Sequence, residues 1–392
     1  MKLWQKNSNL NKKVEKFTVG DDYLLDQNLM KYDCIASIAH AKMLSKIGVF
    51  SKKECEAVVN ELNHIIELDS NGGFKISQQD EDCHTAIENH LVNKLGDVGK
   101  RIHTGRSRND QVLAALRLYY KDEMKSVIEL IDSFCFSLSL FKEKYGSVKL
   151  PGYTHMRKAM PSSAGLWSDA FIDSMKDNKQ LVLDICKLLD QSPLGSGAGY
   201  GLPIEVDRNF CADLLGFERV QKNPIYVQNS RGKFESSILH AIGQIMFDLN
   251  KMASDLILFS MPEFGFFELP FEVCTGSSIM PHKKNPDVLE LVRAKYYSVL
   301  ACEFEVKNIT GNLISGYNRD LQLTKKPVMS GLEIVKNSLD VMIVVLGCLK
   351  VNKKKCEKAL TKELYSTDEI YKLVNKGFVF RDAYNQISKQ YK

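Results

Sequence analysis

A chain of 392 residues, 44% hydrophobic and 26% charged, is long enough for two or three modules and has the balance of an ordinary soluble globular protein. Its net charge of +5 is slight and dispersed, which suits an acidic substrate and excludes the dense basic surface that nucleic acid requires. No apolar run is long enough to span a bilayer, no export segment opens the chain, and the ten cysteines never form C-x-x-C, so a cytoplasmic protein is expected, with neither zinc site nor disulfide framework.

Up to about Thr104 the sequence reads as a separate helical region. Ser51-Lys-Lys-Glu54, ahead of "CEAVVNELNHII", has the capping-box pattern, in which two side chains each satisfy the other's free backbone N–H. A long segment of apolar stripes follows. Met124, Val127, Ile131, Phe134, Leu138 and Phe141 form one stripe, and Phe171, Met175, Val182, Ile185 and Leu189 a looser one. Ile238, Ile242, Ile245, Leu249, Met252 and Leu256 form another. Leu289, Val292, Tyr296 and Val299 begin a fourth, and Leu332, Val335, Leu339, Met342 and Leu346 form a fifth. This period, about 3.5 residues, is what nearly parallel helices need to interlock along their length. The expected fold is therefore all-α, an elongated central helical bundle flanked by two smaller helical domains. The expected divisions are 1–107, 108–355 and 356–392.

"LDVMIVVLGCLKV" is apolar on more than one side, which predicts cover from another copy of the chain. Strand signals are sparse; "FGFFELPFEV" is short and carries a proline. Glycines 195, 197, 199 and 201 in "SPLGSGAGYGLP" do not spell a dinucleotide fingerprint and follow no strand, so a tight connection between bundle helices is predicted. Ser366-Thr-Asp-Glu369 opens a short helix closed by Gly377, and one more helix-length segment ends the chain.

Three loop-like segments break this helical pattern: "HTGRSRNDQ" (His103–Gln111), "PGYTHMRKAMPS" (Pro151–Ser162) and "TGSSIMPHKKNPD" (Thr275–Asp287). Taken singly, each has an ordinary structural reading. Ser107–Asp110 can cap a helix, a histidine beside a turn is more often structural than catalytic, and His282-Lys-Lys284 can be solvated charge. Together they concentrate anion-binding and proton-transferring groups in the few irregular parts of a helical protein. His84 and His90 are six residues apart, on different faces of a helix, and do not read as a metal pair.

The pattern G-S-S-x-M-P-x-K-x-N-P resembles the signature of the fumarase/aspartase superfamily. With "HTGRSRNDQ", "GYTH" and "YNRDLQ" followed by Lys325, the chain is similar to the argininosuccinate lyases within it. The resemblance implies a homotetramer whose active sites are shared between subunits and which needs no metal or organic cofactor. It also implies reversible elimination of argininosuccinate to arginine and fumarate. Ser277 matches the family's base, His155 its second proton-transfer residue, and Glu290 the carboxylate that polarises that histidine. Lys283 and Asn285 match the groups that stabilise charge on the substrate carboxylate, with Thr154 orienting it. Asn109, Tyr317, Gln322 and Lys325 would hold the arginine half, Arg108 would clamp a carboxylate, and His84 falls at a further active-site position. Asp22 stands where many members carry serine, which leaves the N-terminal substrate contact unassigned, and the last domain is expected to be shortened. Another lyase of the superfamily, or a crystallin-like structural protein without turnover, are the alternatives; the intact Ser277, His155, Lys283 and Glu290 argue against the second.

Overall fold

A computed structural model describes residues 11–391. The fold is all-α: helices carry nearly all the regular structure, and the six strands among the described residues are short and pair only two at a time. The helices used below are α1 (Met30–Lys46), α2 (Lys52–Ser70), α3 (Cys83–Leu95), α4 (Arg108–Tyr145), α5 (Ala164–Leu189), α6 (Lys233–Ser260), α7 (Asp287–Thr310), α8 (Lys325–Cys348), α9 (Ser366–Val374) and α10 (Phe380–Ser388). Two strands matter, β1 (Lys149–Thr154) and β2 (Arg157–Ser163).

Two compact units make up the chain. The first comprises the stretch ending at Ser126, Val182–Ala241 and Leu300–Leu332; the second comprises Val127–Leu181, Ile242–Val299 and the stretch from Glu333 onward. In the first unit α2 begins where the capping box predicts. Ser51 Oγ accepts from Glu54 N at 3.3 Å, and Glu54 Oε2 accepts from Ser51 N at 2.9 Å. Two of the three stretches of this unit are tied by Arg117, which is buried. Its guanidinium donates to the Gln191 carbonyl (2.5 Å), Gln221 Oε1 (2.6 Å) and Ser230 Oγ (2.9 Å), and lies over the Phe234 ring. Burial depresses its pKa to about 10, which still leaves the charge in place at neutral pH.

The striped helices bury the faces that the spacing picks out. Met124, Val127, Ile131, Phe134 and Leu138 on α4 have no exposed surface, and neither do all six stripe residues of α6. Ile185 and Tyr296 are only half-buried, in keeping with the looser α5 stripe and the incomplete one on α7. In the second unit an aromatic cluster supplies much of the core. Phe141, Trp167, Phe171, Phe259 and Phe267 meet edge-on or tilted, with ring centres 5.2–6.3 Å apart. The Trp167 indole N–H reaches Asp255 at 3.0 Å.

Two local expectations change. "PGYTHMRKAMPS", read as a loop, forms most of the antiparallel hairpin β1–β2, whose two-residue tip is His155-Met156. Both tip residues have positive φ, +51° and +58°, the backbone of a tight hairpin turn that glycine and asparagine usually supply. The apolar-polar alternation is masked by Pro151 and Pro161, which face each other across the ladder. The glycine-rich segment at Ser192–Pro203 is more than a connection, because its backbone binds a buried carboxylate described below. Phe267–Glu268 does pair as a strand, with Lys350–Val351.

Several large apolar residues of the long helices face outward in the single chain, among them Phe136 (64% exposed), Leu166 (63%), Phe304 (70%) and Val344 (56%). No helix among the described residues is long and apolar enough to cross a membrane.

His40 on α1 is fully buried, and its Nε2 donates to the Thr104 carbonyl at 2.8 Å. Burial and the nearby Arg106 depress its pKa to about 3, and burial with Arg106 and Arg108 brings His103 down to about 4. A folded-state pKa below the exposed value means that protonation favours the unfolded chain. The stability is full above about pH 6.5 and is lost as pH falls towards 3, with His40 alone costing about 2 kcal/mol at pH 5. Thermal melting followed between pH 7.5 and 5 should therefore fall more steeply for the natural protein than for His40→Gln, which keeps an N–H for Thr104. Parallel curves for the two would refute this assignment.

Candidate active site

The candidate residues fall into two groups, one in each unit. His84, Arg108, Asn109, Tyr317, Gln322 and Lys325 belong to the first; Thr154, His155, Ser277, Lys283, Asn285 and Glu290 belong to the second.

In the first group, Asp82 caps α3 by accepting from Thr85 N at 2.9 Å, which sets His84 in the first turn with its ring buried. His84 Nδ1 bonds the carboxylate of Asp33, itself held by Gln111 Nε2 (2.8 Å) and Ser37 Oγ (3.3 Å). An ionised carboxylate can only accept, so Nδ1 carries the proton. Nε2 is left buried without a protein partner. Burial opposes charge on this ring, but Asp33, Asp82 and Asp26 outweigh it and hold the pKa above the ordinary histidine value.

Next to it, α4 begins inside "HTGRSRNDQ". Asp110 is fully buried and accepts three backbone N–H groups: Ser107 on Oδ1 at 2.8 Å, and Gly195 and Gly197 on Oδ2 at 2.8 and 3.0 Å. Both glycines have positive φ, which lets successive N–H groups converge on one oxygen. Burial nonetheless lifts the Asp110 pKa to about 6. Arg108, expected to clamp a substrate carboxylate, is already engaged: Nη2 bonds Asp82 and donates to Thr85 Oγ1 at 3.0 Å. It thereby joins the start of α4 to the start of α3. Asn109, beside it, is half-buried.

Lys325 opens α8 and is almost wholly enclosed; its ammonium lies 2.5 Å from Asp26 and 3.0 Å from Asp22. Burial opposes its charge, and the two carboxylates keep its pKa above the ordinary lysine value. Three residues earlier, Gln322 accepts from Arg231 Nη2 at 2.8 Å through Oε1, which leaves its NH2 free to donate. Tyr317 is half-buried on the turn before these residues.

In the second group, the segment from Thr275 to Asn285 is a closed loop. Thr275 and Asn285 exchange backbone bonds at 3.0 and 2.8 Å, and Lys283 N bonds the Met280 carbonyl at 3.0 Å. Ser277, Lys283 and Asn285 are thus brought onto one small loop. The Ser277 hydroxyl accepts the N–H groups of Ile279 (3.3 Å) and Met280 (3.1 Å). Donors fixed on that oxygen stabilise it as it gains negative charge, which is what a serine base needs. Lys283 is exposed, and Glu290 is exposed in the first turn of α7. Thr154 and His155 stand exposed at the hairpin tip. Among the described residues no hydrogen bond or ion pair joins His155 to Ser277 or Glu290.

Asp26, Cys83 and His84 carry potential ligand atoms within 4.8 Å of one another. They do not suit a cation: Asp26 already holds the Lys325 ammonium, and burial pushes the Cys83 thiol well above its ordinary pKa. His90 lies elsewhere, on Glu61 at 2.6 Å.

Asp33 and Asp26 are organising residues that sequence reasoning missed; their one signal is an acid set among apolar neighbours, as in "YDCIASIAHA". Asp110, read only as part of a helix cap, also holds the glycine-rich loop. Replacing Asp110 with alanine would orphan three buried N–H groups and should destabilise the chain by about 3 kcal/mol or more. Urea unfolding would check this, and a change below about 1 kcal/mol would show that the glycine loop does not depend on the carboxylate.

A family model described as Lyase matches residues 4–301. An argininosuccinate lyase of Thermotoga neapolitana is 52% identical over 390 residues, covering 100% of this chain and 98% of the relative. One of Bacteroides thetaiotaomicron is 40% identical over 386 residues, covering 98% and 86%. Among solved structures, an EDDS lyase in complex with formate superposes with a TM-score of 0.82 at 22% identity, covering 97% of this chain and 76% of that one. A class II fumarase from Schistosoma mansoni gives 0.79 at 17%, covering 95% and 91%. These two share the all-helical fold. By its own sequence and by its relatives, the chain is a lyase and belongs to the argininosuccinate lyase family.

Proposed function

We propose that this protein cleaves argininosuccinate reversibly into arginine and fumarate, as a cytoplasmic homotetramer serving arginine biosynthesis. The observation that carries the chemistry is the loop Thr275–Asn285, which presents a serine oxygen fitted with two N–H donors beside a lysine and an asparagine. In this reading Ser277 takes the proton from the carbon next to the departing nitrogen's carbon. The electron pair moves into the adjoining carboxylate, where Lys283 and Asn285 meet the growing charge, with Thr154 orienting the substrate. As the pair returns, the carbon–nitrogen bond breaks, and His155 supplies a proton to the leaving guanidino nitrogen. Glu290 orients and polarises His155, and Asn109, Tyr317, Gln322 and Lys325 hold the arginine end. Arg108 and His84 act around that end through the buried ion pairs described above. No metal or organic cofactor takes part in these steps.

Two observations support shared sites. His155 has no bond to Ser277 or Glu290 within one chain, and the long helices expose Phe136, Leu166, Phe304 and Val344, which another subunit would cover. On this reading residues 1–107 form an N-terminal helical domain, 108–355 the bundle that makes the tetramer core, and 356–392 a small C-terminal helical domain.

Fumarate absorbance with argininosuccinate as sole substrate tests the activity directly; no fumarate, or equal release from adenylosuccinate, aspartate or malate, would overturn it. Ser277→Ala should lower kcat at least about a hundredfold with the melting temperature unchanged. Normal turnover in that variant would remove serine from its role. A second check is complementation: inactive Ser277→Ala and His155→Asn tetramers, unfolded together and refolded as mixtures, should regain measurable activity. Mixed tetramers that stay inactive would exclude sites built from several chains.

A further inference from the structure

The imidazole of His155 rides at the end of a ladder with few rungs. The β1–β2 register slips between Pro151 and Tyr153, so Gly152 forms a bulge in β1. Beyond that bulge only two pairs, Tyr153 with Lys158 and Thr154 with Arg157, precede the turn. Pro151 and Pro161, paired just below it, have no N–H to give to the ladder. The turn residues themselves, His155 and Met156, stand in the left-handed region without being glycine. Such a tip can pivot on the bulge, and only contacts from outside the hairpin oppose that motion.

Two side chains make those contacts. Tyr153 and Lys158 stand directly opposite each other and so project to the same face of the hairpin. Tyr153 packs on Phe259 and Phe264, with ring centres 5.7 and 6.0 Å away. Lys158 reaches a far later part of the chain: its ammonium donates to the Ala359 carbonyl at 2.7 Å and to Thr361 Oγ1 at 3.4 Å. The Thr361 hydroxyl gives its own proton to Glu363 Oε1 at 2.6 Å, which leaves its oxygen free to accept. These acceptors lie between the short helix Lys353–Ala359, which packs against β1, and the turn Lys362–Tyr365, which packs against β2. Cys356 and Leu364, both buried, seat those two elements. Among the described residues no other side-chain hydrogen bond or ion pair leaves residues 154–158.

Resting on the proposed proton transfer by His155, we infer that Lys158 is a positioning residue, which ties the hairpin tip to residues 359–361 and so fixes where the imidazole stands. Lys158 is exposed, so the contact adds little to global stability. What it opposes is a rotation of the tip that would carry the imidazole off the leaving nitrogen, and an offset of about 1 Å at a reacting group costs up to about a hundredfold in rate. The C-terminal segment, which carries none of the candidate residues, thereby gains a part in the reaction.

Lys158→Met keeps the length of the side chain and removes the donor. In that variant kcat for fumarate release should fall about tenfold, with KM within about twofold and the melting temperature unchanged. Lys158→Arg, which restores a donor, should recover kcat to within about twofold of the natural protein. Amide hydrogen exchange, read by mass spectrometry on peptides covering residues 153–160, should quicken in Lys158→Met and return to the natural rate in Lys158→Arg. Natural turnover in Lys158→Met, a change confined to KM, equal losses in the two variants, or unchanged exchange at the tip would each overturn the inference. The exchange measurement needs no substrate. Absence of fumarate from the natural protein, with exchange behaving as stated, would keep the anchor and overturn the proposed reaction instead.

Discussion

An ammonium can be enclosed in a folded interior only when oppositely charged groups reach it, and for Lys325 those groups come from almost three hundred residues earlier. Removing the ammonium from such a cluster would leave buried carboxylate charge uncompensated, a change that costs about 3–5 kcal/mol. The requirement fixes the start of α8 against the segment Asp22–Asp26. Through Asp26 and the Cys83 N–H it also fixes the start of α3, and so His84. Asp33, Gln111 and Arg108 extend the same network to the beginning of α4. One polar wall is thus built from helix ends, where free backbone groups and short polar side chains meet.

The Asp110 carboxylate applies the same logic to a loop. Glycines 195 and 197 gain a defined conformation from the anion they enclose, and the anion is tolerated in the interior because three N–H groups converge on it. A helical protein has little irregular backbone, and here much of it is either tied to a buried charge or, as at Thr275–Asn285, closed by its own backbone bonds. Ser277 then meets donors that ordinary loop motion would not hold in place.

The hairpin shows a different device. His155 and Met156 both occupy the left-handed region, where non-glycine residues are uncommon, and the ladder on either side holds them there. An imidazole carried on a two-residue turn projects beyond its own strands, which suits a group meant to work on something other than its immediate neighbours.

The apolar stripes, the capping box and the three irregular motifs were legible in the sequence, because each rests on spacing or on residues that interact within a few positions. The helices bury the stripes as read, and Ser51 and Glu54 pair as read. The hairpin was not legible, since its prolines interrupt the alternation that marks a strand. Nor were the partners of Lys325, His84 and Asp110, which stand 299, 51 and up to 87 residues away. Local pattern decided which segments would be helix and which would interrupt it. Only the folded chain decided which charges could be buried, because that depends on desolvation and on partners that sequence distance conceals.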